Sequence, residues 1–278
     1  MKDYGFFEHS GQTTPYGPVV VATAGLLSAP LLAFIYATMV HLFPYILVKF
    51  LLLFGFILAL TTLLHVLSKA TKIRNPGLVL ALGLVTGITA WYGSWVALLQ
   101  VMVEGRPLVW HPLELFAFAQ YLADNGRWEF SDKPLPAILT WSIWGVEAMI
   151  LIFTISIYPW DQIRNLPYCE DCSCWVDADT QIGPFAPAGD VHTLKHQIEG
   201  GDLSGLLSLQ PSEDQPFWLL KLRFCNQCED LYLANLVSVT LDDEGDPDAN
   251  DLIRNFYISR TQYDQLWDLD KPADFLET

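Results

Sequence analysis

The sequence predicts a membrane α-helical protein with four transmembrane helices and a small cytosolic α+β zinc-binding domain. Three observations carry that prediction. Residues 1–158 hold eight Lys/Arg and eight Asp/Glu between long apolar runs, whereas residues 159–278 hold seven Lys/Arg against 23 Asp/Glu, so the net charge of −16 resides in the second part. The apolar runs of the first part have lengths that cross a bilayer. All five cysteines fall in the second part, four of them as two Cys-x-x-Cys pairs. The expected division is a cytosolic segment over 1–16, a transmembrane domain over 17–158 and an acidic cytosolic domain over 159–278.

Residues 1–16 are polar and Gly-rich; they are expected to be partly ordered at best, with Phe6 and Phe7 at the membrane interface. The apolar stretch 18–67 is about 50 residues long, too long for one span and suited to two, since roughly 20 residues at 1.5 Å each cross the hydrocarbon. Pro44 and Tyr45 place the turn between them at 41–45. A cleaved signal peptide fits poorly, because a short basic leading region is missing and the apolar stretch continues too far. Two further spans are expected near 78–102 and 136–158.

The connection 68–76 carries Lys69, Lys72 and Arg74 and no acid, which assigns it to the cytoplasm by the positive-inside bias. Both termini then face the cytoplasm, while the 41–45 turn and the 104–135 connection face the other side. The compact organisation suggests a multi-pass protein of a bacterial inner membrane. Within the outer connection Leu113, Phe116, Ala117, Tyr121 and Leu122 recur at helical spacing, with Gly126 as the stop. An extracytoplasmic amphipathic helix over 112–125, lying on the membrane surface and capping the bundle, is expected.

Glu147 falls near the middle of the fourth span. A carboxylate at that depth costs several kcal/mol unless it is neutral, paired or wet, so it should face the interior as part of a polar site. Trp144 and Trp141, three and six residues earlier, share its face. The expected companions are His65, Thr61 and Thr62 of the second span and Thr86 and Thr89 of the third. An interhelical hydrogen bond, a ligand site and proton handling are the three readings, in that order. His41, His65 and His111 fall at different depths, so no shared haem or metal centre is expected among them. Gly83 and Gly87 form a Gly-x-x-x-Gly pair and Gly93 adds a third small position; all three predict close helix packing, within the bundle or between copies.

In the acidic part, Cys169 and Cys172 follow the last span and Cys225 and Cys228 come about fifty residues later. Each pair can give two thiolates to a tetrahedral metal, and a reducing cytoplasm favours zinc over disulfides. Cys174 is a surplus thiol that replaces Cys172, packs near Trp175 or stays free. The run 217–224 reads as a strand and 231–241 as another, so Cys225 and Cys228 occupy a hairpin turn. A thioredoxin-like site would need a strand leading into a helix instead. A short helix over 190–199, a second helix or turn at 203–209, a third strand at 256–259 and a helix over 261–267 capped by Thr261 complete a small α+β unit. The acidic run 242–251 lacks the ligand spacing of an EF-hand and is expected to be a solvated loop, and the tail after Asp268 is expected to be mobile.

A catalytic triad, a phosphate-binding loop, a dinucleotide fingerprint and a zinc-protease motif are all missing from the sequence. The expected function is therefore a membrane-anchored adaptor, sensor-like or scaffold protein that presents a zinc-stabilised domain to protein partners, a basic surface among them. A membrane enzyme or small-molecule binding protein built around Glu147, and a structural subunit of a larger membrane complex or homo-oligomer, are the alternatives. The negative field disfavours nucleic acid.

Overall fold

The computed structural model describes residues 4–43, 45–103, 108–125, 129–130, 133–212, 214–228, 230–242 and 244–269. They divide into two compact units, one drawn from 10–164 and the other from 1–9 together with 165–278. The first holds α1 (Gly17–Leu42), α2 (Ile46–Ala70), α3 (Pro76–Met102), α4 (Pro112–Asp124), the short strands β1 (Glu129–Phe130) and β2 (Lys133–Pro134), and α5 (Ala137–Asn165), whose last residue belongs to the second unit. Four of these helices, α1, α2, α3 and α5, are long and apolar enough to cross a membrane. α1, α2 and α3 fall within about three residues of the expected bounds or the 41–45 break between them, whereas α5 continues through Pro159 to Asn165, seven residues past the expected end at 158.

Small residues decide how the bundle packs. The buried face of α1 repeats every fourth residue as Gly17, Val21, Gly25, Ala29, Ala33 and Ala37, which lets a neighbouring backbone approach closely. A Cβ built on Gly25 would lie 2.3 Å from the Thr86 hydroxyl of α3. Gly83 and Gly87 of α3 serve α5 in the same way: a Cβ on Gly83 would sit 2.6 Å from Ser156 Cα, and one on Gly87 3.1 Å from Ile152 Cα. A Cβ on Gly93 would lie 3.4 Å from Pro30 Cα of α1. The glycine face is thus used inside the bundle. Outward faces carry large apolar side chains, Leu27, Leu31, Phe54, Leu58 and Ile138 among them.

Asn75 starts α3 by accepting a hydrogen bond from the Leu78 amide at 3.0 Å, with Pro76 at the first helical position, where its missing N–H costs nothing. The preceding turn is tied to the chain's beginning: the Arg74 amide donates to the Gln12 carbonyl at 3.0 Å and the Thr14 hydroxyl to the Thr71 carbonyl at 2.7 Å. Helix α4 forms where expected but packs through a different face. Leu115, Ala119, Leu122 and Ala123 are buried, whereas Leu113, Phe116, Ala117 and Tyr121 are exposed. Apolar residues lie on both sides of this helix, and the small Ala119 and Ala123 admit the closer approach to Trp144.

The second unit contains β3 (Tyr168–Cys169), β4 (Cys174–Trp175), β5 (Asp179–Phe185), α6 (Val191–Glu199), α7 (Ser204–Leu207), β6 (Phe217–Phe224), β7 (Tyr232–Leu241), β8 (Pro247–Tyr257) and α8 (Arg260–Asp268). Strands β5-β6-β7-β8 form an antiparallel sheet in that order. Its core buries Phe185, Leu206, Leu220, Leu236, Phe256 and Leu266, uniting sheet residues with α7 and α8. The Asp190 side chain caps α6, accepting from the Thr193 amide at 3.0 Å.

Four expectations are corrected here. Residues 5–7 are paired as a strand: Phe6 bridges to Phe256, the Phe7 amide donates to the Asn255 carbonyl at 2.7 Å and the Tyr257 amide to the Gly5 carbonyl at 2.9 Å. Residues 5–7 therefore extend the free edge of β8, which satisfies backbone groups an edge strand leaves open, and Phe6 packs on the sheet core instead of a membrane interface. The cap of α8 is Ser259, not Thr261; it forms a capping box in which the Gln262 amide donates to Ser259 Oγ at 3.2 Å and the Ser259 amide to Gln262 Oε1 at 2.8 Å. The acidic run is only half a loop, since the Asp242 carboxylate accepts from the Glu244 and Asp246 amides in a tight turn and the chain then enters β8 at Pro247. The third strand is accordingly much longer than the 256–259 expected. Residues 270–278, on which the expectation of a mobile tail rests, lie outside the described residues.

Asn165 is held by the sheet of its own unit. Arg223 of β6 donates to the Asn165 carbonyl at 3.1 Å and pairs with Asp179 at 3.3 Å, while Arg254 of β8 donates to Asn165 Oδ1 at 3.1 Å. A guanidinium there supplies a donor and a positive charge where a helix terminus leaves carbonyls unpaired.

Candidate metal centre and bundle cavity

Two tight turns build the cysteine site. In the first, β3 pairs with β4 so that Cys169 stands opposite Cys174, and the chain between them closes with Ser173 at φ +52° and its amide donating to the Glu170 carbonyl at 3.3 Å. This hairpin, with Cys172 in its turn, is absent from the sequence reading. In the second, Phe224 pairs with Tyr232 and the Cys225 amide donates to the Leu231 carbonyl at 2.9 Å, so Cys225 and Cys228 project from the β6–β7 turn as expected.

The turns converge. The sulfurs of Cys169, Cys172, Cys225 and Cys228 all lie within 4.8 Å of one another, and Cys169 Sγ is 3.6 Å from Cys228 Sγ. A disulfide needs about 2.05 Å, whereas a tetrahedral ion with metal–sulfur bonds of about 2.3 Å sets its thiolates about 3.8 Å apart. The four thiols can hold a metal ion. Cys174 Sγ stands 3.7 Å from Cys225 Sγ but outside the mutual cluster, which keeps Cys172 as the fourth member. Val176 and Leu231 pack around the sulfurs.

Protons are shared unequally across the cluster. Burial pushes the Cys169 thiol up to about 12, and hydrogen bonding to the Cys228 thiol, with burial, pushes Cys172 higher still. Burial works against ionisation of Cys225 too, but the Cys228 and Gln227 amides and the Cys228 and Cys169 thiols donate to its sulfur and hold it down at about 6. One thiolate therefore sits among thiols that donate to it. A divalent cation stabilises the same thiolate more strongly and displaces the neighbouring protons.

In the bundle, Glu147 is half-buried and its Oε1 accepts a hydrogen bond from the Tyr36 hydroxyl of α1 at 2.9 Å. Both line a cavity of about 490 Å³, together with Lys49 of α2 and Trp91 and Trp95 of α3. The interior placement of Glu147 is as expected; its companions are not. Thr61, Thr86 and Thr89 donate to the carbonyls of Ile57, Leu82 and Val85 in their own helices, Thr62 is exposed, and His65 sits edge-on to Tyr158 at 6.4 Å. None of the four threonines nor His65 lines the cavity. Trp144 does, in edge contact with Trp95 at 4.9 Å, whereas Trp141 stacks on Phe116 at 5.6 Å, meets Trp144 edge-on at 5.3 Å and is not among the lining residues. Tyr36 and Lys49 were legible as polar groups in otherwise apolar spans, near the same end of the bundle as Glu147.

No family model, no curated protein and no solved structure matches this chain.

Proposed function

We propose that the protein is a multi-pass protein of a bacterial inner membrane that holds a zinc-stabilised adaptor domain in the cytoplasm. The convergence of two Cys-x-x-Cys turns from opposite ends of the domain carries this reading. Four thiolates close a tetrahedral shell and leave no position for a substrate, which suits a structural role. All-sulfur tetrahedral sites take zinc or iron; zinc needs no redox partner and is the ion assigned here.

Topology supports the same reading. Residues 5–7 and β8 share one unit, and a chain that crosses a bilayer returns to its starting side only after an even number of passes. Four spanning helices satisfy that condition, with α4 left on the surface. The apolar outward faces of Leu27, Leu31, Phe54 and Leu58 suit hydrocarbon solvent, and Lys69, Lys72 and Arg74 favour the cytoplasmic side. The partner is a basic protein surface: Asp242, Asp246, Asp248 and Asp251 are exposed along the β7–β8 hairpin.

The test is gentle purification of the full chain, with metal content measured by plasma mass spectrometry and co-purifying proteins identified. One zinc per chain and a stoichiometric partner released as salt rises from about 0.05 to 0.5 M support the proposal. Iron, no metal, or no partner beyond the chain itself overturns it.

A further inference from the structure

We propose that the bundle cavity is a binding site for an uncharged, membrane-soluble ring compound whose head carries carbonyl or hydroxyl groups, the chemistry of a quinone. The volume of about 490 Å³ falls inside the roughly 300–1,000 Å³ of pockets that hold compact organic ligands. Charge then restricts the class. Glu147 and Lys49 line the same cavity, so its walls carry one formal negative and one formal positive charge. A ligand with net charge would leave one of the two opposed without compensation in an apolar surrounding, whereas a neutral head adds no imbalance.

The lining supplies matching contacts. Trp91, Trp95 and Trp144 offer flat aromatic faces that favour a planar ring. Ser94 and Ser142 donate to the carbonyls of Trp91 and Ile138 at 2.7 and 2.9 Å; beside the tryptophan indoles, Tyr36, Lys49 and Glu147 are the other polar side chains of the lining. The Lys49 ammonium donates to a ring carbonyl, Tyr36 can turn its hydroxyl from Glu147 to the ligand, and the carboxylate accepts from a ligand hydroxyl. Access is from the acyl phase. Leu139, Ile143 and Val146 of α5 both line the cavity and are exposed on the outside of the bundle, so a lipophile reaches the site without crossing water.

The experiment uses the full chain in phosphatidylcholine nanodiscs, with decylubiquinone as the neutral probe and tetraphenylphosphonium and oleate as charged ones. Binding is read as saturable quenching of tryptophan emission. Decylubiquinone is expected to saturate, with affinity falling at least about tenfold in Glu147→Gln and Tyr36→Phe and saturation lost in Ser142→Trp, which fills the cavity. His65→Ala, away from the lining, should bind as the parent does. Retention of the parent's helical melting profile is required of each variant, and Ser142→Trp decides the question if Glu147→Gln melts early. Saturable binding of a charged probe but not decylubiquinone, or quenching that none of the cavity variants alters, overturns the proposal. The outcome is independent of whether the cysteine site holds zinc.

Discussion

Replacing each cysteine in turn by serine separates the four-thiol set from the fifth thiol beside it. Closing a tetrahedron with edges of about 3.8 Å from sulfurs that lie within 4.8 Å of one another asks for movements of about 1 Å or less, so the folded domain is already arranged for the ion. Structural zinc sites contribute about 10–16 kcal/mol in all. Divided over four ligands this is about 2.5–4 kcal/mol per thiolate, or roughly 10²- to 10³-fold in affinity at about 1.4 kcal/mol per decade. Cys169→Ser, Cys172→Ser, Cys225→Ser and Cys228→Ser should each show a loss of that size when the intact protein competes with a chromogenic chelator for zinc. Cys174→Ser should stay within about threefold of the parent, because its sulfur, 3.7 Å from Cys225 Sγ, lies outside the set of four that are mutually close. If Cys174→Ser loses as much as Cys172→Ser, or if serine at Cys225 leaves affinity intact, the ligand assignment is wrong.

Metal binding should release protons, because Cys169 is pushed up to about 12 and Cys172 higher still, so both hold protons at pH 7 that a bound ion must displace. Apparent affinity should therefore rise at least about 100-fold per pH unit near neutrality and more steeply below about 6, where Cys225 is also protonated; calorimetry in buffers of different ionisation enthalpy counts the protons, and a count below two refutes the assignment. Gly83→Ala should destabilise the bundle by about 1–3 kcal/mol, since the new Cβ would lie 2.6 Å from the Ser156 backbone, whereas Gly55→Ala, which meets nothing within 4 Å, should leave stability equal or higher. Thermal unfolding in one detergent compares the two. Phe6→Ala should cost the second unit about 1–3 kcal/mol, less than the 3–5 of a fully buried phenylalanine, and should speed hydrogen exchange at the Tyr257 amide; unchanged exchange there would show that residues 5–7 do not hold the β8 edge.

The bundle was readable because length and apolarity suffice to mark a candidate span, and a run of about 50 residues is too long for one; proline alone is no guide, since Pro30 lies inside α1 and Pro159 inside α5. The β6–β7 hairpin was equally plain, since Phe217–Phe224 and Tyr232–Leu241 are apolar runs that flank a short polar turn. What escaped were pairings fixed by tertiary partners. Gly5, Phe6 and Phe7 have no local pattern of their own and become strand-like only against β8. Strand β8 begins in Pro247 and Asp248, residues with poor strand propensity, because β7 supplies register down to Leu241 and Pro247. The Glu147 partner was sought in the second and third spans, but which helix faces α5 at that depth is set by the Gly83–Ser156 and Gly93–Pro30 approaches, and these bring α1 and its Tyr36 within reach. Backbone proximity chose the polar pair, and no periodicity in either helix alone encodes it.

Three fastenings act inside the second unit, each on a segment outside the strands of its four-stranded sheet. Residues 5–7, which precede α1, pair with β8. Asn165, the last residue of α5, is held by Arg223 and Arg254 from β6 and β8. The β3–β4 hairpin that follows directly brings Cys169 and Cys172 to the β6–β7 turn. The first two fastenings are hydrogen bonds between ordered strands or at a helix end, each a modest contribution that survives without a metal. The third brings together segments separated by more than fifty residues, and the short hairpin of two-residue strands that carries it is too small to be stable alone. The structural effect of a metal held by these thiols would thus be local: it would fix the hairpin to the sheet, while the strand pairing of residues 5–7 and the Asn165 contacts rest on the sheet's own hydrogen bonds.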